Sequence, residues 1–106
     1  MYCPAHFAES RPEVLHALMR EYPLATLVTM GDGGLNADHI PLQLETAGDG
    51  QHVLRGHVAR ANPVWKSTGN GTPALAIFRG PDAYITPSWY PTKREHGKAV
   101  PTWNYA

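Results

Sequence analysis

Ten glycines and ten prolines are spread through a chain of 106 residues, and this punctuation constrains the fold more than any other feature. Each proline removes a backbone donor and each glycine invites a turn, so uninterrupted elements stay short. One stretch near the start escapes it. Ser10 and Glu13 stand at capping-box spacing, Pro12 suits a first helical turn, and Pro23 is a stop signal. Between them Val14, Leu15, Leu18, Met19 and Tyr22 form an apolar stripe, which predicts an amphipathic helix.

After Pro23 the periodicity becomes that of strands. Residues 24–30 are rich in β formers and end at Gly31-Asp32-Gly33-Gly34, a hairpin signal. Residues 35–44 form the returning strand, where Pro41 deletes a ladder donor and marks an edge, a bulge or a strand separation. Gly48-Asp49-Gly50 is the next turn, and residues 52–60 the third strand. Asn62-Pro63 reads as an N-cap with proline at the first helical position, opening a short helix through Trp65. Two more strands, residues 74–79 and 82–86, are kinked apart at Gly80-Pro81. Residues 87–97 read as polar and irregular, and residues 100–106 as a further strand. There, alternation predicts one of the sets Trp103/Tyr105 and Thr102/Asn104 to be buried and the other to lie at an interface. A helix followed by closely linked hairpins leaves no room for repeated crossovers. That excludes a doubly wound parallel sheet and predicts a mainly β, α+β fold: a closed or nearly closed antiparallel barrel in one domain, residues 1–106.

Charge and cysteine content narrow the function. Nine basic and nine acidic residues cancel, and no cationic run exceeds Lys93-Arg94, so direct nucleic-acid binding is not expected. Cys3 is the single cysteine, which excludes an intrachain disulfide and a multi-cysteine metal site within one chain. With no basic leader at the start and no apolar run near the ~20 residues of a membrane span, a cytoplasmic protein away from the membrane is expected. The aromatic end Trp103-Asn104-Tyr105-Ala106 reads as mid-strand, as if the pattern were cut there.

Three stretches carry candidate chemistry. In His57-Val58-Ala59-Arg60-Ala61-Asn62-Pro63-Val64-Trp65, an imidazole and a guanidinium lead into a helix start. Backbone N–H groups and the planar Arg60 fork suit a phosphate there; the plainer alternative pairs Arg60 with an acid and leaves Asn62 as a cap. Asp38 and His39 lie on the preceding strand, which predicts His39 near His57; no metal-site spacing accompanies them, and no metal is expected. The aromatic, proline-pinned stretch holding Tyr84, Trp89, Tyr90 and Lys93 suits stacking on a flat ring, an interface or a small hydrophobic cluster.

Taken together, these stretches resemble the PaiB-like proteins, the FMN-binding negative transcriptional regulators. The resemblance is carried by Met1-Tyr2-x-Pro4-x-His6-Phe7, Tyr22-Pro23-Leu24-Ala25-Thr26-Leu27-Val28 and Asn36-Ala37-Asp38-His39-Ile40-Pro41. It continues through Gly56-His57-Val58-Ala59-Arg60-Ala61-Asn62-Pro63, Phe78-Arg79-Gly80-Pro81-Asp82-Ala83-Tyr84-Ile85, Ser88-Trp89-Tyr90 and Val100-Pro101-Thr102-Trp103-Asn104-Tyr105. It implies an FMN-binding split β-barrel of antiparallel Greek-key type, a bacterial homodimer with FMN at the subunit interface, and a longer family pattern of which this chain is the N-terminal portion. The cofactor-binding residues it implies here are Asp38, His39, His57, Arg60 and Asn62, and we add Trp89 and Lys93 from the aromatic stretch. Where the wider fold often has Ser-Arg-Lys, this chain has Arg60-Ala61-Asn62, one cation in place of two.

The function expected first is a flavin-binding, transcriptional-regulator-like protein. The alternative is an FMN-dependent oxidoreductase of the pyridoxine-phosphate-oxidase-like class, with Arg60 on the phosphate and chemistry at flavin N5. A direct DNA-binding repressor is the third reading; no helix–turn–helix pair supports it.

Overall fold

In the computed structural model, which describes residues 2–106, helix α1 (Pro12–Glu21) leads into the first hairpin. There strand β1 (Leu24–Gly31) pairs antiparallel with β2 (Gly34–Pro41) along its whole length. The register runs from Leu24 opposite Pro41 to Gly31 opposite Gly34, closed by Asp32-Gly33. Pro41 ends the ladder. Leu42 then leaves the sheet, its N–H bonded to the Pro23 carbonyl at 2.8 Å, and the chain restarts as β3 (Gln43–Thr46) against a different partner, β4 (His52–Arg55). Of the edge, bulge or strand separation expected at Pro41, the structure has the separation.

The expected third strand stops at Arg55. Gly56 packs so closely on Pro41 and Leu42 that an added Cβ would lie 2.7 Å from Leu42 Cδ2 and 3.0 Å from the Pro41 carbonyl oxygen. Residues 56–63 therefore turn across the end of the hairpin and lead into a single helical turn, α2 (Val64–Ser67). Strand β5 (Leu75–Ile77) returns to pair with the free edge of β1, giving a three-stranded antiparallel sheet of order β2-β1-β5. Beyond Gly80-Pro81, β6 (Asp82–Ile85) pairs with β7 (Thr102–Tyr105) as a separate ribbon.

Three expectations are corrected. Helix α1 forms as the stripe predicts, but the Ser10–Glu13 box does not. Instead the Glu9 carboxylate accepts the backbone N–H groups of Ser10 and Arg11 at 3.0 and 2.9 Å and holds the Arg11 guanidinium. Residues 87–97 are not irregular: they form a 3₁₀ turn, Pro87–Trp89, and a short helix α3, Pro91–His96, ended by Gly97 at φ 66°. In β7 all four residues are exposed, so neither alternate set is buried.

The class is α+β and mainly β. Its strands form three small sheets and do not close into a barrel. Ala25, Ile40 and Leu42 form the centre of the core, with Leu27, Val58, Ala76 and Phe78 packed against them. Among the described residues no helix is long and apolar enough to cross a membrane.

Candidate functional site

Strand alternation decides which side chains share a surface. Ala25, Leu27 and Thr29 on β1 stand opposite Ile40, Asp38 and Asn36 on β2, so these six side chains lie on the inner face of the sheet. His39, one residue on, faces the other way and meets its cross-strand partner Thr26, with Thr26 Oγ1 3.1 Å from His39 Nδ1. Asp38 and His39 thus serve opposite faces. His57 lies on the inner side, where it lines a cleft beside α2, so His39 is not its neighbour on that surface.

Asp38 is committed within the chain. Its two carboxylate oxygens accept one bond each from the amides of Asn36 and Asn62, the latter at 2.8 Å. Asn62 works in two directions. Its Nδ2 donates to Asp38, while its Oδ1 accepts the backbone N–H of Val64 at 2.9 Å; the helix starts one residue later than expected, with Pro63 at the N-cap and Asn62 just ahead of it. Val64 is buried, anchoring the turn. Since α2 has four residues, its terminus carries only the dipole of one turn, and Arg60 and its neighbours have to supply any charge.

Arg60 is exposed and has no acidic partner among the described residues. Its carbonyl accepts the Trp65 indole N–H at 3.3 Å. The Lys66 ammonium lies over the Trp65 ring, 4.8 Å from its centroid. Reading by motif missed Lys66, although a signal exists: residues 50–81 contain no Asp or Glu but hold Arg55, Arg60, Lys66 and Arg79. Arg55 reaches back to Glu45 and Arg79 forward to Asp82. Arg60 and Lys66 remain.

The cleft, of about 550 Å³, is walled by Leu27, Ile40, Leu42, Val58 and Val64, with His57, Trp65 and Thr68 along its margin. Its volume is that of a ligand site. Its aliphatic walls, however, are continuous with the core, and a doubly charged phosphate has no partner among them. The rim differs: Trp65 and Thr68 line it, the Trp65 indole holds the Arg60 carbonyl and lies under the Lys66 ammonium, and the Thr68 hydroxyl is buried without a hydrogen-bond partner among the described residues. The residues present therefore fit the phosphate end of FMN at the rim, not inside the cleft. Trp89 and Lys93 are exposed on the 3₁₀ turn and α3, and no hydrogen bond or cleft among the described residues joins them to Arg60. No three His, Cys, Asp or Glu side chains gather as a metal set among the described residues.

The family model described as "Putative FMN-binding domain" matches residues 1–106. "Protease synthase and sporulation protein PAI 2" of Bacillus subtilis is 37% identical over 105 residues, covering 99% of this chain and 48% of its own length. An uncharacterized protein of Saccharomyces cerevisiae is 32% identical over 124 residues, covering 100% of this chain and 73% of itself. One from Emericella nidulans is 37% identical over 132 residues, at 100% and 53%. The chain thus spans about half the length of two of these three relatives. Fungal relatives also remove the expectation of a specifically bacterial protein. With the match running from its first residue to its last, the chain belongs to the FMN-binding domain family.

Proposed function

We propose that this chain is the FMN-binding, split-barrel part of a cytoplasmic, transcriptional-regulator-like protein that holds its flavin between two copies. The match of all 106 residues to the FMN-binding family carries the reading. When bound, FMN supplies a redox-active ring; the chain's part is to hold and orient it. Arg60 takes the phosphate as a two-pronged donor. Asp38 and Asn62 act behind it by fixing the turn, and His57 stands beside it at the cleft margin. His39 lies on the other sheet face, and Trp89 and Lys93 on a separate exposed segment, so in this reading they meet flavin held mainly by the partner copy. The regulator-like role is supported by the name of the Bacillus relative, which refers to sporulation.

Titrating free FMN with the purified chain tests the reading. Flavin fluorescence is expected to change saturably, with one FMN per chain. Emission unaltered by excess protein would overturn it. Oxidation of a reduced nicotinamide faster than free FMN supports would favour the oxidoreductase alternative instead.

A further inference from the structure

Resting on that reading, we infer that Lys66 is the second phosphate-binding cation of the site, and that Trp65 positions it together with Arg60. The motif supplies one cation at the turn, Arg60, and the indole that holds the Arg60 backbone also carries the Lys66 ammonium over its ring. Trp65 donates its ring N–H to the Arg60 carbonyl at 3.3 Å and lies beneath the Lys66 ammonium at 4.8 Å. One rigid ring thus fixes the backbone at residue 60 and the side chain at residue 66.

Within residues 50–81, these two charges are also the ones that meet no carboxylate among the described residues. Of the four cations in residues 50–81, Arg55 and Arg79 each hold a carboxylate. Asp38, the acid tied to this turn, is occupied by Asn36 and Asn62. Lys66 over the Trp65 ring and Arg60, whose backbone the same indole holds, are two exposed cations at one turn, a local excess of positive charge in a chain of zero net charge. A terminal phosphate carrying nearly two negative charges answers that excess better than a singly charged carboxylate does. Trp65 itself remains about half exposed, at 53%, leaving surface for contact with the ligand's less polar portion. The ligand class is therefore a phosphomonoester with a flat body.

Comparing FMN with riboflavin, which has the same ring and lacks the phosphate, isolates the role of Lys66. Lys66→Gln is expected to weaken FMN binding roughly 10-fold and leave riboflavin binding unchanged, and Lys66→Arg to restore most of the loss. Trp65→Phe keeps a ring but loses the bond to the Arg60 carbonyl, and should weaken FMN binding less than Lys66→Gln does. If the wild-type chain binds neither flavin, the functional reading falls and takes this inference with it. If it binds FMN and Lys66→Gln leaves that affinity unchanged, only the role of Lys66 falls. Equal losses for FMN and riboflavin would likewise overturn it, because they mark a structural role.

Discussion

Glu9 sits just ahead of α1 and accepts the backbone N–H groups of Ser10 and Arg11, not those of the first helical turn. Its carboxylate is held at about 2, well below its ordinary 4.5, first by the side-chain bond with Arg11 and then by the Arg11 backbone N–H. Arg11 is pushed upward in turn by the same bond. A carboxyl group depressed in the folded state stabilises the fold above its unfolded value, and that contribution fades as pH falls from about 4.5 toward about 2. Glu9 is exposed, so the effect concerns fraying at the start of α1 and not global unfolding. An NMR titration of the Glu9 side chain should show the low midpoint, and Glu9→Gln should abolish the acid-dependent fraying; a midpoint near the ordinary value would contradict the contact. In the proposed function, Arg60 is the residue assigned to the phosphate. One charge-assisted contact is worth about 1.5–3 kcal/mol, so Arg60→Ala should weaken FMN binding roughly 10- to 100-fold. A titration showing no change would remove Arg60 from the site.

Between elements, one carboxamide ties β2 to α2. Asn62→Ala removes both the bond to Asp38 and the cap on Val64, and a lost cap costs about 0.5–2 kcal/mol. Asn62→Asp separates the two functions: it keeps an oxygen for the Val64 N–H but brings a second carboxylate against Asp38. It should destabilise at neutral pH and recover partly in acid, whereas Asn62→Ala should show no such recovery; denaturant midpoints at two pH values distinguish them. Legibility in the sequence differs by element. Helix α1, the β1–β2 hairpin, the break at Pro41 and the kink at Gly80-Pro81 follow from local signals that the folded chain obeys. Helix α3 escapes such a reading because Pro-Thr-Lys-Arg-Glu-His has no apolar stripe; its proline start and glycine stop are the readable cues. At the turn, Asn62-Pro63 signals the helix start, and the Asn62 side chain does bond the Val64 N–H there. The bond from Asn62 to Asp38 spans 24 residues and depends on pairing that no local pattern encodes. Barrel closure likewise depends on strand partners far apart in sequence, and here β3–β4 and β6–β7 pair only with each other.

For the whole molecule, surface area is decisive. The accessible surface is 8628 Å², against about 5,800 Å² for a compact monomer of 11.6 kDa. The radius of gyration is 18.7 Å, where a compact chain of this length has about 13 Å. Exposed large apolar side chains occur along the chain, and the β6–β7 ribbon carries a set of aromatic ones. On the β6–β7 ribbon, Tyr84 stands opposite Trp103, with ring centroids 5.6 Å apart, and Tyr105 lies two residues along the same face. Trp103 and Tyr105 are 56% and 70% exposed. Burying such a side chain contributes about 1.5–3 kcal/mol, while a domain's whole stability is about 5–15 kcal/mol. Three uncovered aromatic rings on a two-stranded ribbon, itself marginal in water, are a large fraction of that total. A second copy of the chain, or the remainder of a longer polypeptide, is therefore expected to cover this face; for the chain by itself, the second copy is the occupant to test. Light scattering at low micromolar concentration should give at least twice 11.6 kDa, and Trp103→Lys, which places a charge at the centre of the face, should shift the population toward monomer and lower the melting temperature. A folded wild-type monomer that persists on dilution would show that this surface needs no partner.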